Sequence, residues 1–226
     1  MIEVTLPNAR AAQGFALVNA SKGDNRTHGY FLAFPGNAQT ATELLTKLRP
    51  AAAAGFDVVV FDYANLLGNG PLPRLHNLIA DARIVTAFYA KDKRYEGKTN
   101  VLYGASTGGL ILIQALPESL PNSTTIILDS VPDRIPRFLL CDKELDPIQG
   151  IAAITSKSSP LLVLNGTNDQ KVLPANSRAI AEAAERTGGC HTIIANATHP
   201  FESTDNAEAR IRAIVSYAKD RICQIK

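Results

Sequence analysis

Asn100-Val101-Leu102-Tyr103-Gly104-Ala105-Ser106-Thr107-Gly108-Gly109-Leu110-Ile111-Leu112 decides the fold of this chain. A β-rich apolar run enters the stretch and an apolar run with helical character leaves it. At the junction stands G-x-S-x-G, the pattern of a nucleophile elbow. A strand turning sharply into a helix lifts the serine hydroxyl clear of its neighbours, and glycines two residues either side avoid collisions in the tight turn. At average glycine and serine usage the bare pattern arises by chance about 0.08 times in a chain of this length. Its strand–turn–helix setting and its partners elsewhere must therefore carry the reading.

On either side, short β-rich runs alternate with longer helical patterns, which predicts an α/β class with a mostly parallel sheet of about eight strands and helices on both faces. Ile2 to Leu6 and Gly14 to Asn19 read as an antiparallel hairpin at one sheet edge. Strand-like Tyr30 to Phe34 leads to a helix over about Ala38 to Ala54, and Asp57 to Phe61 leads to a helix over about Leu75 to Ala90. After the elbow come strand-like Thr125 to Leu128 and Leu161 to Leu164, a helix over about Pro174 to Arg186, a strand at His191 to Ala195 and a helix over about Ala207 to Ile225. One stretch breaks the rhythm. Ser130 to Ser159 holds three prolines and patches of helix, longer than ordinary connections, and reads as a short cap-like excursion or as local packing over the sheet. With 226 residues, 46% of them hydrophobic, the chain is expected to fold as a single domain over 1–226.

Ligands in open α/β sheets bind at the carboxyl ends of strands, so reactive side chains just after a strand matter most. Ser106 follows one such strand, Asp169 another, and His199 the last. Asp129 also ends a strand and is a second candidate acid; Asp133 is a more remote one. Of the other histidines, His28 precedes a strand, His76 lies in a helix and His191 starts a strand away from the site.

The order Ser, Asp, His resembles that of the α/β-hydrolase superfamily, and the resemblance runs from Tyr30 onward. Phe34-Pro35-Gly36-Asn37 looks like the oxyanion loop, Phe61-Asp62-Tyr63 like a family strand end, Asn165 to Val172 like the acid loop, and Thr198-His199-Pro200-Phe201 like the histidine loop. The resemblance implies a Ser106 nucleophile, a His199 base and an Asp169 orienting acid, with the Thr107 N–H and either the N–H or the side chain of Asn37 as oxyanion donors. The chain departs from the family at Pro35, where a histidine is common, and at Ala64-Asn65, where Arg-Gly is frequent.

These roles imply a serine hydrolase acting on an ester, thioester or related acyl bond of a small-molecule substrate. An acyltransferase or peptidase would use the same triad, and a receptor-like binding protein on the same fold would keep it without turnover. If the excursion is a cap, Ile135, Phe138, Leu139 and Leu140 are able to contact an apolar acyl group. No cofactor or metal is implied: the serine turn lacks the Lys-Ser or Lys-Thr of a phosphate loop, and His and Asp do not recur at metal-ligand spacing.

Other classes are disfavoured. A net charge of +2 supplies no field for nucleic acid, and no apolar run approaches the length needed to span a bilayer. The N-terminal residues lack a basic start and an apolar core, and Cys141, Cys190 and Cys223 read as reduced structural thiols, so a cytoplasmic location is expected. The sequence leaves the oligomeric state open.

Overall fold

The computed structural model describes residues 2–5, 13–17, 27–37, 39–62, 75–116, 120–121, 123–134, 147, 150–151, 154, 159–186, 188–202 and 207–223. Eight strands form one sheet: β1 (Ile2–Thr5), β2 (Gln13–Leu17), β3 (Gly29–Phe34), β4 (Phe56–Phe61), β5 (Thr99–Ala105), β6 (Thr124–Asp129), β7 (Leu161–Gly166) and β8 (Cys190–Ile194). They lie in the order β1-β2-β4-β3-β5-β6-β7-β8. β1 and β2 make the expected antiparallel edge hairpin, and β2 runs antiparallel to β4. The six strands β3 to β8 form a continuous parallel set. Such strands are covered on both faces, which is why they read as near-continuous apolar runs.

Alternation along β3 sorts its side chains into two cores. Tyr30, Leu32 and Phe34 join one cluster with α3 (Leu75–Ala90), α4 (Thr107–Ala115) and α5 (Arg178–Arg186). Phe31 and Ala33 join the other with α1 (Ala41–Lys47), α2 (Arg49–Ala53) and α6 (Ala207–Asp220). Every residue of β3 is buried, and each large apolar side chain removed from water stabilises the fold by roughly 1.5–3 kcal/mol.

The strand order reverses at β3. The connection from β3 to β4 carries α1 and α2 on one face, whereas α4, leaving β5, packs on the other. The carboxyl ends of β3 and β5 flank this switch point, the place where open α/β sheets bind their ligands.

Three expected elements are shorter or divided. The helix expected over about 38–54 is two. A capping box starts α1: the Thr40 hydroxyl accepts from the Glu43 N–H at 3.2 Å, and the Glu43 carboxylate accepts from the Thr40 N–H at 2.8 Å. Pro50, lacking an N–H, then stands in the first turn of α2. The segment expected as a helix from Pro174 begins with a 3₁₀ turn over Pro174–Ser177. The C-terminal helix stops at Asp220, because Arg221 adopts a left-handed φ of 54° and closes the last turn on the Tyr217 carbonyl.

The cysteine reading is corrected. Cys190, at the start of the edge strand β8, and Cys223, just past α6, form a disulfide across 33 residues with their Cα atoms 5.9 Å apart. Their remoteness in sequence gave no spacing signal. Within 130–159, Ile151 and Ile154 are buried in the core that contains α4, and a Cβ on Gly150 would collide with Ile113 of that helix. Ile135, Phe138, Leu139, Leu140, Cys141, Tyr63 and Ala64-Asn65 lie outside the described residues.

Candidate active site

Ser106 sits between β5 and α4 with φ 49° and ψ −120°, a conformation that non-glycine residues avoid at a cost of about 1–3 kcal/mol. Backbone hydrogen bonds hold it there. Its N–H donates to the Asp129 carbonyl at the end of β6 at 2.8 Å, and its own carbonyl accepts from the Gly109 N–H at 3.0 Å. The flanking glycines permit the turn: a Cβ on Gly104 would lie 2.5 Å from the Gly109 Cα, and one on Gly108 would overlap the Phe34 and Pro35 carbonyl oxygens.

Gly108 thus lets the elbow nest against the loop after β3. A Cβ on Gly36 would come within 3.4 Å of the Ser106 Cβ, so that loop runs directly past the serine. The loop is braced internally by Gln39, whose side-chain oxygen accepts from the Gly36 N–H at 3.2 Å and whose own N–H donates to the Gly36 carbonyl at 3.2 Å. Asn37, between them, is exposed. Thr107 opens α4, where the first N–H groups lack intrahelical acceptors and the helix dipole favours negative charge.

Further along the same sheet the loops after β7 and β8 are tied together. The Thr167 N–H donates to the Ile194 carbonyl at 3.1 Å, the Asn168 N–H to the Ala197 carbonyl at 3.0 Å, and the Asn196 N–H to the Thr167 hydroxyl at 2.7 Å. This lacing brings His199 to Asp169. The His199 Nδ1 lies 2.9 and 3.1 Å from the two oxygens of a fully buried carboxylate. Asp169 Oδ1 also accepts from the Lys171 and Val172 N–H groups, each at 2.9 Å.

Burial pushes the Asp169 carboxyl upward, but the hydrogen bonds from His199 and the Val172 N–H outweigh it, and the group ends below the usual carboxylate range. An ionised carboxylate only accepts, so the Nδ1 carries the proton and the Nε2 is left basic. The His199 side chain is 12% exposed, whereas its Asp169 partner is fully buried.

Asp129 is used differently. Its carboxylate pairs with Arg210 of α6 and accepts from the Tyr103 hydroxyl at 2.9 Å. Burial pushes Asp129 upward, with Arg210 and Tyr103 opposing. Asp133 accepts from the Ala179 N–H in the first turn of α5 at 3.4 Å, although Arg134 lies 3.9 Å away on its other side. His191 bonds the Asn165 side chain at 3.0 Å, and His28 packs edge-on against Phe56 at the opposite end of the sheet. The structure thus joins Asp169 to His199 and places Ser106, Thr107 and the Gly36–Asn37 loop together. Arg210 was missed: one arginine in a helix that also carries Arg212 has no local signature of burial.

Among the described residues, no three His, Cys, Asp or Glu side chains converge as metal ligands would, and no helix is long and apolar enough to cross a membrane.

No family model and no curated protein matches the chain by sequence. Solved structures match it in shape. A monoacylglycerol lipase from Paleococcus ferrophilus superposes with a TM-score of 0.64 at 16% identity, over 91% of this chain and 97% of that one. Esterase 2 of Thermogutta terrifontis, phosphorylated by paraoxon, gives 0.67 at 17% identity over 94% and 91%. Est1E from Butyrivibrio proteoclasticus, with ferulic acid bound, gives 0.70 at 13% identity over 96% and 97%. At such identities the likeness is one of architecture, and on that ground the chain has the α/β-hydrolase fold.

Proposed function

We propose that this chain is a serine hydrolase that cleaves carboxylic esters through an acyl-enzyme on Ser106. The observation that carries the proposal is the His199–Asp169 pair at 2.9 Å, on the same sheet edge as a serine held at φ 49°. A serine hydroxyl is a weak nucleophile at neutral pH, so it needs an adjacent base and a stabilised oxyanion.

In this reading the His199 Nε2 takes the Ser106 proton as Oγ attacks the substrate carbonyl, then returns it to the leaving alkoxide. Asp169 fixes the tautomer and stabilises the imidazolium that forms. The oxyanion is met by the N–H groups of Thr107 and Asn37, each such donor lowering the barrier by on the order of 3 kcal/mol. Water then attacks the acyl-enzyme by the same steps in reverse, with His199 again as base.

The named esterase and lipase neighbours support ester chemistry. The test is a series of p-nitrophenyl esters of increasing acyl length, with a matching thioester, run on the protein and on Ser106→Ala. Turnover of esters that disappears in the variant is expected. Saturable ester binding without turnover would replace the proposal by a receptor-like role.

A further inference from the structure

Arg210 stands at the centre of a chain of contacts that runs from the nucleophile elbow to the histidine loop. It is 2% exposed, on α6, facing the core that contains Tyr103 and Ile127. One guanidinium nitrogen meets Asp129 Oδ1, and the other donates to the Thr198 carbonyl at 2.7 Å. Thr198 is the residue before His199. Asp129, in turn, receives the Tyr103 hydroxyl on Oδ2 and the Ser106 N–H on its main-chain oxygen. A continuous path therefore runs from the Ser106 N–H through Asp129 and Arg210 to the Thr198–His199 peptide.

Resting on the serine-hydrolase reading above, we propose that Arg210 is a positioning residue that sets the register of the histidine loop against the nucleophile elbow. The planar guanidinium fork suits such a clamp because it makes two hydrogen bonds in fixed directions, whereas an ammonium is a single point charge. The loop after β8 is laced to the loop after β7, and the sheet ladder holds β7 to β6, so the histidine loop reaches β6 by way of β7 as well as through Arg210. Arg210 adds a direct side-chain tie from the histidine loop to β6, the strand whose last carbonyl holds Ser106. It also neutralises a second carboxylate near the imidazole, leaving Asp169 as the anion His199 faces.

A buried ion pair cut on one side is often lost to unfolding, whereas replacing both partners by apolar groups is often neutral. The decisive variant is therefore the double substitution Asp129→Leu with Arg210→Met, alongside Arg210→Lys, which keeps charge but not the fork. Melting temperature, kcat and KM on a short ester, and the downfield Nδ1 proton resonance of His199 are measured for each. The expected result is a folded double variant whose kcat falls ~10- to 100-fold, the scale of a 1 Å misplacement, with KM little changed. Its Nδ1 resonance should broaden or move, and Arg210→Lys should recover only part of kcat. A folded double variant with wild-type kcat and an unchanged resonance would overturn the proposal. The resonance separates the two readings: should the wild type prove inactive, a His199 signal lost only in the variants still supports the clamp, and an unchanged one refutes it.

Discussion

Replacing Asp169 with asparagine isolates the contribution of one charge at nearly constant shape. The carboxylate is fully buried; the His199 Nδ1 lies 2.9 and 3.1 Å from its two oxygens, and it accepts from the Lys171 and Val172 N–H groups at 2.9 Å. An asparagine oxygen placed at Oδ1 keeps both backbone donors, so the loop after β7 retains its conformation. The amide NH₂ then occupies the Oδ2 position and presents an N–H donor to Nδ1. To accept, His199 must move its proton to Nε2, which removes the basic nitrogen that would face Ser106. In a serine protease triad the same exchange lowers kcat about 10⁴-fold. The same loss here corresponds to roughly 5.4 kcal/mol in the barrier. Steady-state kinetics on a short p-nitrophenyl ester should show that fall in kcat with KM within a few-fold, and circular dichroism should show an unchanged fold. A loss below about tenfold in a folded variant would mean that Asp169 does not orient the base, and Asp129 would have to be tested next.

Other perturbations follow from the same contacts. Gly108→Ala would drive a methyl into the Phe34 and Pro35 carbonyls, so a loss of ~3 kcal/mol or more in urea unfolding, or failure to fold, is expected; a stable, active variant would contradict the elbow geometry. Reducing the Cys190–Cys223 disulfide should lower unfolding free energy by about 3–4 kcal/mol for a closed loop of 33 residues, and thiol titration of the unreduced, denatured protein should find one free thiol rather than three. Because the Asp169 carboxyl is held below its ordinary range, its contribution to stability is present above the unfolded value and lost as pH falls through the folded one. The melting-temperature gap between wild type and Asp169→Asn should be widest above about pH 5 and close at lower pH; a gap that grows on acidification would reverse the assigned shift.

What could be read in the sequence was what is local. Gly104 to Gly108 announces its turn within five residues, and the apolar runs of β3 to β7 announce burial on both faces without knowledge of their neighbours. Asp169 and His199 were legible because each follows a strand, and parallel strands deliver their carboxyl ends to one edge. The division at Pro50 was in view but was overrun by a helical pattern continuous on both sides of it. Non-local chemistry was hidden: Arg210 lies 81 residues from Asp129, and Cys190 lies 33 from Cys223. Neither pairing has a periodicity, because each is created by which helix covers which strand. The choice between Asp169 and Asp129 as the partner of His199 had the same origin. Both follow strands, and only the packing of α6 places an arginine against one of them.

If Ser106 is an activated nucleophile beside a prepared oxyanion site, it must react with an electrophile that mimics the acyl-transfer transition state. The most direct test is treatment of the native protein with an organophosphate such as paraoxon, followed by intact mass and peptide mapping. Stoichiometric phosphorylation of Ser106, abolished in Ser106→Ala and strongly slowed in Asp169→Asn, is the expected result. A folded protein left unmodified, or modified at another residue with Ser106 untouched, would contradict it.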